Sequence, residues 1–415
     1  MKKMKYLLTF FCLLAAFSSC SNDDAGDYTP PGKEITVLVY MAAENDLSSN
    51  AGSDKWGDIK EMIEGSKSLN ANSHLIVFVD KANEKPYIAE IANGKMNILK
   101  QFEEEIVSSD PREMSDIIAW TTANYPAEEY GLVLWGHASG WILEDSIATT
   151  TPSRARTSIR KAFGVDANNN DKKWMNVHSM AHYIEETGIK FKYIFADACS
   201  FQCIENVYEL RNATDWLIGS PAEIPGNGAP YHKILPHLFS ESPDFYKGII
   251  DEYEKYYYPS YSVPLSAART SEAALLAHAA SQVWDNMPQM PLEDEYANGC
   301  IYYFGNYTVA GKGFDGNHIC YDAYDIVLAN ADEATAQAWG EAIDRMIAYG
   351  SYDTNIKWMT ANHVSFSDFT LSSDRMKFIS MFVPLKTYEN GAAKYNEMIK
   401  SMAWYYASGL CNYMN

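Results

Sequence analysis

The chain has 415 residues, of which 47% are apolar and 21% are charged. That balance lets the chain bury a hydrophobic core and excludes a protein that is disordered throughout. The formal net charge of −21 argues against nucleic acid as a partner, because a phosphate backbone would be repelled. The 24 glycines and 16 prolines are too few for a collagen-like or proline-rich protein.

An export signal is predicted over residues 1–19. Three lysines within the first five residues precede an apolar stretch over 7–17, which is too short to cross a bilayer as a helix. Small residues then lead to Cys20, a pattern similar to the bacterial lipobox, in which this cysteine is lipidated. We expect a lipid-anchored linker over 20–33 and an outer-membrane or cell-surface lipoprotein. The alternative is an ordinary secretory signal and a periplasmic or secreted protein.

Residues 34–232 alternate between short apolar runs and segments with helical spacing. Continuous short apolar runs are typical of strands that are buried on both faces. The alternation predicts an α/β domain with a mostly parallel sheet and helices on both faces. The predicted strands are 35–41, 74–80, 131–135, 192–196 and 216–220, with a hairpin around Asn93-Gly94, and the predicted helices are 54–66, 111–124 (capped by Asp110), 174–187 and 201–212.

Two parts of the chain depart from this alternation. The polar segment 142–175 has no clear period, which is unusual inside a compact domain and indicates a functional loop. Over residues 233–415 the pattern loosens, and we predict a smaller C-terminal α+β region that packs on the first domain. Its predicted helices are 245–257, 271–286, 332–348 and 390–408, and its predicted strands are 299–304 and 377–383.

Reactive side chains follow two of the predicted strands. His137 comes just after the strand 131–135, and Cys199 comes just after the strand 192–196. Ligands of parallel α/β sheets bind beyond the carboxyl ends of the strands, so we expect the two side chains to meet there. Cysteine and histidine form a nucleophile–base pair, and a helix starting at 201 would favour the thiolate. The alternative is that Cys199 is a small core residue.

Three segments resemble those of the clostripain-like cysteine peptidases, which are grouped with the caspase, legumain and gingipain folds. These segments are VYMAAENDL over 39–47, Trp135-Gly136-His137, and Asp197-Ala198-Cys199 followed by IENVYEL over 204–210. The resemblance implies a caspase-like sheet and a cysteine endopeptidase that acts on protein or peptide substrates. It also implies that Cys199 is the nucleophile and that His137 is its partner in a catalytic dyad.

The resemblance further implies which residues bind the substrate. The residue after the histidine, usually glycine, offers its backbone N–H to the oxyanion, and here that residue is Ala138. Asp197 lies two residues before the nucleophile, where relatives that cleave after arginine or lysine carry the pocket carboxylate. The alternative is that Asp197 caps the following helix. The segment 220–228, which includes Glu223, is expected to form a wall of the pocket.

Basic residues in the polar loop suggest activation by self-cleavage. The resemblance implies processing between the histidine and the cysteine, and an Asp197 pocket would accept basic residues from this loop. We therefore expect a cut within 142–174, and a monomer in single-chain or processed two-chain form. The alternative is a basic loop that is merely solvated. The candidate cleavage residues are Arg154, Arg156, Arg160 and Lys161.

No metal site is assigned from the sequence. Pairs of the CxxC and CxxH type are absent, so a structural zinc site has no support. Asp166, Asn168 and Asn170 have the spacing of a calcium loop but lack its glycine and its final glutamate. The resemblance leaves calcium open as a cofactor, because the namesake of the family needs calcium. No other cofactor is expected.

Two other functions remain open at this point. The first is a peptidase-like protein that binds peptides without cleaving them, since Ala138 stands where relatives carry glycine. The second is a surface glycan-binding lipoprotein, which would suit the lipobox, the acidic charge and the many aromatic residues. Such a protein would not need the turns at His137 and Cys199, and it would be built from helical repeats.

Overall fold

The computed structural model describes residues 34–52, 57–143, 163–166, 174–260, 262–290, 299–307, 314–352, 374–384, 386 and 393–415. Within these residues the strands are β1 Ile35–Ala43, β2 Ser73–Lys81, β3 Tyr87–Ala92, β4 Lys95–Gln101, β5 Glu129–Trp135, β6 Phe163–Val165, β7 Trp174–Met175, β8 Phe191–Asp197, β9 Thr214–Gly219, β10 Leu265–Arg269, β11 Tyr302–Tyr307, β12 Phe314–Asp322, β13 Ile347–Ser351 and β14 Ser380–Met381. The α-helices are α1 Asp58–Gly65, α2 Pro111–Asn124, α3 Val177–Glu186, α4 Ile204–Glu209, α5 Tyr231–Leu238, α6 Phe245–Tyr257, α7 Ala273–Asn286, α8 Asp325–Leu328, α9 Glu333–Met346, α10 Ala393–Met398, α11 Ala403–Ala407 and α12 Leu410–Tyr413.

A sheet of nine strands in the described residues has the order β13-β10-β9-β8-β5-β1-β2-β3-β4. Its five middle strands, from β9 to β2, are parallel to one another. Both edges are antiparallel. Two smaller antiparallel sheets accompany it, one formed by β11, β12 and β14 and the other by β6 and β7. The predicted α/β class, with a mostly parallel sheet, is confirmed.

The middle strands are apolar on both sides because each side is covered by helices. Along β1, Leu38 and Tyr40 belong to one core, Val37 and Val39 belong to the other, and all four are buried. The first core lies under α2, α3, α4, α7, α9 and the C-terminal helices, and the second lies under α1, α5 and α6. Burial on both faces is why these strands read as continuous apolar runs.

The edges of the sheet come from different parts of the chain. Asn93 and Gly94 have positive φ values of 52° and 74°, the geometry of the tight hairpin turn that this pair predicts. At the opposite edge, β10 and β13 extend the sheet although both follow residue 232. The chain from residue 33 to its end is one compact unit. The sheet therefore crosses the predicted boundary between 34–232 and 233–415.

Two helices of the structure coincide with their predicted bounds. Helices α2 and α6 match the predictions 111–124 and 245–257. The start of α2 follows from its capping residue, because Asp110 Oδ1 accepts the backbone N–H of Arg112 at 2.9 Å. Pro111 then occupies the first helical position, where its missing N–H costs nothing.

The predicted helix 201–212 is wrong at its start. Helix α4 begins only at Ile204, because the preceding residues pair with neighbouring strand segments. The N–H of Gln202 donates to the carbonyl of Ser220 at 3.0 Å, and Cys203 forms a bridge with Ser380. Tertiary backbone pairing thus holds this stretch extended, although its apolar spacing suits a helix.

Two glutamates of α4 attach the C-terminal helices and the small sheet to the main core. Glu205 accepts the backbone N–H of Phe382 at 2.8 Å, and Glu209 accepts that of Ala403 at 2.6 Å. The second contact caps α11, and it explains why the predicted helix 390–408 is interrupted within its described residues. Burial raises the pKa of Glu205 to about 7, against the lowering effect of the Phe382 hydrogen bond.

None of the helices in the described residues is long and apolar enough to cross a membrane.

Five cysteines lie in described parts of the chain, and no disulfide joins any two of them. These are Cys199, Cys203, Cys300, Cys320 and Cys411.

Candidate active site

The register of two neighbouring strands brings His137 and Cys199 to the same edge of the sheet. Strands β5 and β8 are parallel, and their last paired residues are Trp135 and Asp197. His137 and Cys199 each follow that pair by two residues. Adjacent strands lie about 4.8 Å apart, so the two turns begin side by side. The two predicted strands are therefore neighbours in the sheet, and His137 and Cys199 follow them at the same edge.

The turn that carries His137 is held from two sides by backbone contacts. Gly136 has a φ of 152°, and a Cβ at this position would lie 3.1 Å from the carbonyl oxygen of Ala42. The N–H of Gly164 donates to the carbonyl of His137 at 2.8 Å, and Ala138 pairs with Phe163 in an antiparallel bridge. Strand β6 thus braces the histidine turn.

The imidazole of His137 has an acidic neighbour that sequence reasoning missed. Its Nε2 lies 2.7 Å from Oδ1 of Asp46, and the Trp174 ring lies beside it with centroids 6.3 Å apart. The Asp46 side chain is 82% exposed, so solvent weakens this ion pair. The only signal for Asp46 in the sequence is its place in the segment 39–47 that carries the family resemblance.

The turn that carries Cys199 is tight. Its Sγ lies 3.9 Å from the carbonyl oxygen of Ile224. The next residue, Ser200, has a φ of 54°, a left-handed conformation that costs a non-glycine residue on the order of 1 kcal/mol or more. The Ser200 N–H donates to the carbonyl of Ala222 at 2.8 Å, which fixes that conformation.

The expected help from a helix dipole is absent at Cys199. Helix α4 starts at Ile204, five residues further along the chain. The favourable field of a helix is confined to its first turn and the residues beside it. Any activation of the Cys199 thiol must come from neighbouring side chains such as His137 and from local backbone groups.

Asp197 does not cap the following helix, so that alternative is wrong. Its carboxylate is buried, and Oδ2 accepts the N–H of Ala229 at 3.0 Å and the hydroxyl of Tyr231 at 2.9 Å. A Cβ on Gly228 would lie 2.8 Å from the same oxygen. Burial raises the pKa of Asp197 to about 6, and the two hydrogen bonds oppose that rise.

A second buried carboxylate lies beside Asp197 and was also missed. Asp58, the first residue of α1, accepts the indole N–H of Trp135 at 2.6 Å. Burial and then the charge of Asp197 raise its pKa well above the usual range. The Gly228 position separates the two acids, because a Cβ there would be 3.3 Å from Asp58 Oδ2. The segment 220–228 thus runs past both Cys199 and Asp197.

The other predicted site residues fall into two groups. Glu223 is buried in the segment 220–228, next to residues that contact the nucleophile turn. Ala138 is buried, and it is not among the described non-glycine residues with positive φ, so alanine fits there without backbone strain. Outside the described residues lie Cys20, Arg154, Arg156, Arg160, Lys161, Asn168 and Asn170.

Comparison with protein families gives one match over most of the chain. Residues 39–399 match the model of the Clostripain family. Clostripain of Hathewaya histolytica is 24% identical over 240 residues, which cover 50% of this chain and 42% of that protein. The matched part of the chain therefore spans less than half the length of that relative.

Solved structures give the same fold. A secreted C11 cysteine protease from Bacteroides thetaiotaomicron, in complex with an irreversible peptide inhibitor, has a TM-score of 0.73 and 24% identity, and the match covers 91% of this chain and 99% of that one. An inactive zymogen C11 protease from Parabacteroides distasonis has a TM-score of 0.71 and 25% identity, covering 92% and 99%. The described residues form this sheet-based fold, not the helical repeats expected of a glycan-binding lipoprotein.

Proposed function

The chain belongs to the clostripain family, and from that premise we propose that it is a cysteine endopeptidase with Cys199 as nucleophile and His137 as base. The observation that carries the proposal is the β5–β8 register, which sets both residues two positions beyond one strand pair. The inhibitor complex of the B. thetaiotaomicron protease, which has the same fold, supports it.

In the proposed reaction, the sulfur of Cys199 attacks the carbonyl carbon of the scissile bond, and His137 takes up the thiol proton. The C–N bond breaks, a thioester forms, and His137 returns the proton to the leaving amine. Water then adds to the thioester and gives a proton to His137, and release of the carboxylate product regenerates the thiol. Asp46 stabilises the protonated imidazole modestly because it is exposed.

The oxyanion would be stabilised by the backbone N–H of Ala138. Its ordinary φ supports this role, since the alanine requires no strained backbone. The competing proposal is a peptide-binding protein that does not cleave, and its one argument is the replacement of the usual glycine by Ala138. An active enzyme and a binder differ in a single measurement, the turnover of a bound peptide.

Specificity for arginine or lysine before the scissile bond is proposed from the buried carboxylates. Asp197 lies two residues before Cys199, and Gly228 lies so close to its Oδ2 that a Cβ there would come within 2.8 Å. A guanidinium placed there would meet both Asp197 and Asp58 and would offset the cost of burying their charge. Glu223 would add a third acidic group to the wall of this pocket.

The first test concerns the nucleophile. Cys199→Ala should lower kcat on peptide substrates on the order of 10³-fold or more while leaving Tm unchanged. Iodoacetamide at neutral pH should modify Cys199 first, because burial raises the pKa of Cys203 well above its usual range and that of Cys300 to about 12. Peptide mapping by mass spectrometry measures the order of labelling.

The matched control for this test is Cys411→Ala. Cys411 is partly exposed and lies on α12, an element that carries none of the proposed site residues. Its replacement should leave turnover unchanged. Activity that survives in Cys199→Ala would remove Cys199 from the mechanism, and a wild-type protein that binds peptides without turnover would favour the binding protein.

The second test concerns specificity and its pH dependence. Asp197→Asn should weaken the preference for arginine over a neutral residue by about 2 kcal/mol, or roughly thirtyfold. In the wild type, the ratio of kcat/KM for arginine and neutral substrates should fall as the pH drops through about 6, because Asp197 then gains a proton. The titration of the dyad affects both substrates and cancels in this ratio.

A surface carboxylate serves as the control. Asp215 is exposed and pairs with Lys190 at 2.6 Å, so Asp215→Asn should keep both the preference and its pH dependence. A library digest in which aspartate or apolar residues dominate before the cut would contradict the pocket assignment, whatever the behaviour of the variants.

Self-activation is proposed for the segment that joins the two catalytic turns. Two of its described residues lie beside the histidine turn: Phe163 pairs with Ala138, and the Trp174 ring lies beside the imidazole of His137. The P. distasonis relative is described as an inactive zymogen, which supports a maturation step in this family. After a cut, the two pieces would remain together, because β5 and β8 pair over five residues inside the buried sheet.

Purified wild type should therefore give two fragments on a denaturing gel but one particle in native chromatography. Cys199→Ala should stay as a single chain, and so should a variant with Arg154, Arg156, Arg160 and Lys161 all changed to glutamine. A fully active wild-type protein that remains uncut would contradict self-activation without affecting the assignment of the dyad.

Export with a lipid on Cys20 is proposed from the lipobox-like sequence. The B. thetaiotaomicron relative is described as secreted, which supports export. Wild-type protein expressed in a bacterium that processes lipoproteins should fractionate with membranes, and Cys20→Ala should be released into the soluble fraction. Equal distribution of the two forms would show that no lipid is attached to Cys20.

A further inference from the structure

Three buried carboxylates meet behind the histidine turn. Glu44 follows the end of β1, Asp80 lies near the end of β2, and Asp166 follows β6. Each is fully buried, and one oxygen of each lies within 4.8 Å of the others. Asp80 and Phe78 are two residues apart on β2, so their side chains lie on the same face of the sheet, in the first core. Asp197 lies on the opposite face, with Phe195 of the second core. This cluster is therefore separate from the proposed substrate site.

Two of these acids lack the hydrogen bonds that buried carboxylates require. Neither oxygen of Glu44 and neither oxygen of Asp80 has a hydrogen-bond partner of ordinary geometry among the described residues. Burying a carboxylate is costly unless it is paired, hydrogen-bonded or bound to a metal. The charge of Glu44 and Asp80 must therefore be either removed by protons or balanced by something else.

Within the part of the chain that the structure describes, no basic side chain balances this charge at Glu44 or Asp80. After burial, the groups that act most strongly on the pKa of Glu44 are Asp80, Asp166 and Glu105, which are all acidic. The nearest lysine in sequence, Lys81, pairs with Glu84 at 2.9 Å. Without a cation, burial raises the pKa of Glu44 to about 9 and that of Asp80 to about 7.

A neutral side chain outside the acidic cluster also faces it. Ser108 is fully buried, and its contact with Asp80 opposes the rise in the pKa of Asp80 that burial causes. Its hydroxyl makes no hydrogen bond of ordinary geometry to any other described residue. Its backbone is held in place because the hydroxyl of Tyr40 donates to the Ser108 carbonyl at 2.9 Å. Ser108 thus adds a fourth oxygen, an uncharged one, to the three carboxylates.

We propose that Glu44, Asp80, Asp166 and Ser108 form a binding site for one hard divalent cation, Ca²⁺ or Mg²⁺. These four residues offer only oxygen atoms, which is the ligand set that Ca²⁺ and Mg²⁺ prefer. No described imidazole or thiolate belongs to the cluster, so it does not favour zinc or copper. Three carboxylates supply more negative charge than the cation carries, and water completes the coordination.

The cation would connect two segments that support His137. Asn45, next to Glu44, donates through Nδ2 to the carbonyls of Ala42 and Val165, both at 3.0 Å. Val165 precedes Asp166, and the same short strand braces the His137 turn. A cation bridging Glu44 and Asp166 would tighten this connection. The proposed binding does not depend on whether the chain is a peptidase.

Calorimetry on the full-length protein tests this directly. After treatment with EDTA and its removal, titration with CaCl₂ or MgCl₂ should show one bound cation per chain. At a hundredfold excess of cation over Kd, Tm should rise by about 3 °C. If neither salt produces binding heat or a shift in Tm, the proposal is wrong.

Two charge-removing variants locate the site. Glu44→Gln and Asp80→Asn, made separately, should each weaken cation binding at least about tenfold. In EDTA each should be as stable as the wild type or more stable, because one of the repelling acids is gone. If the carboxyl groups instead share protons and bind no cation, the variants should have a lower Tm than the wild type in EDTA. The wild type should then not respond to either salt.

Glu84→Gln is the control. Glu84 is an acid that follows β2, as Asp80 lies near its end, but the Glu84 side chain is 53% exposed. It should keep the wild-type response to both salts. If one of the two site variants fails to fold, the other variant and the wild-type titration still show whether the cluster binds a cation. An undiminished response in both Glu44→Gln and Asp80→Asn would place the cation elsewhere and overturn the proposal.

Discussion

The parallel hydrogen bonding of β5 to β8 is the constraint on which the candidate site depends. Because Trp135 pairs with Asp197, the two chains leave the sheet at the same level. A shift of one residue would turn every following side chain to the opposite face, since side chains alternate along a strand. Such a shift would exchange side chains between the two differently packed cores, so the packing of both cores fixes the positions of His137 and Cys199.

The interior of this acidic protein holds several carboxylates, which differ in whether hydrogen bonds stabilise their charge. Glu205 and Glu209 accept backbone N–H groups of the C-terminal region, and they join it to the helix after the nucleophile. Asp197 accepts two hydrogen bonds from the α5 side of the sheet. Glu44 and Asp80 have no hydrogen-bond partner of ordinary geometry among the described residues. The proposals for a basic substrate and for a cation both follow from this difference.

The turns at the carboxyl edge have unusual backbone conformations, and the one at Ser200 stores a small amount of strain. Ser200 is held in a left-handed conformation by its bond to Ala222, and Gly136 allows its chain to approach the carbonyl of Ala42 closely. Strain of this kind persists only where surrounding contacts outweigh it. The strain at Ser200 and the glycine conformation at Gly136 agree with a site in which two turns are held at a fixed separation.

The sequence alone determined the class of sheet, because strands buried on both faces must be apolar throughout, and it determined which strand ends carry His137 and Cys199. It also fixed α2 through Asp110 and Pro111, whose chemistry is local. Only the tertiary structure decided what depends on distant partners. Asp58 has no local signal, and Asp46 and Glu44 are marked only by the resemblance of the segment 39–47, since the neighbours of all three lie far away along the chain. The extended stretch before Ile204 was decided in the same way, because its pairing with Ser220 and Ser380 outweighs a local preference for helix.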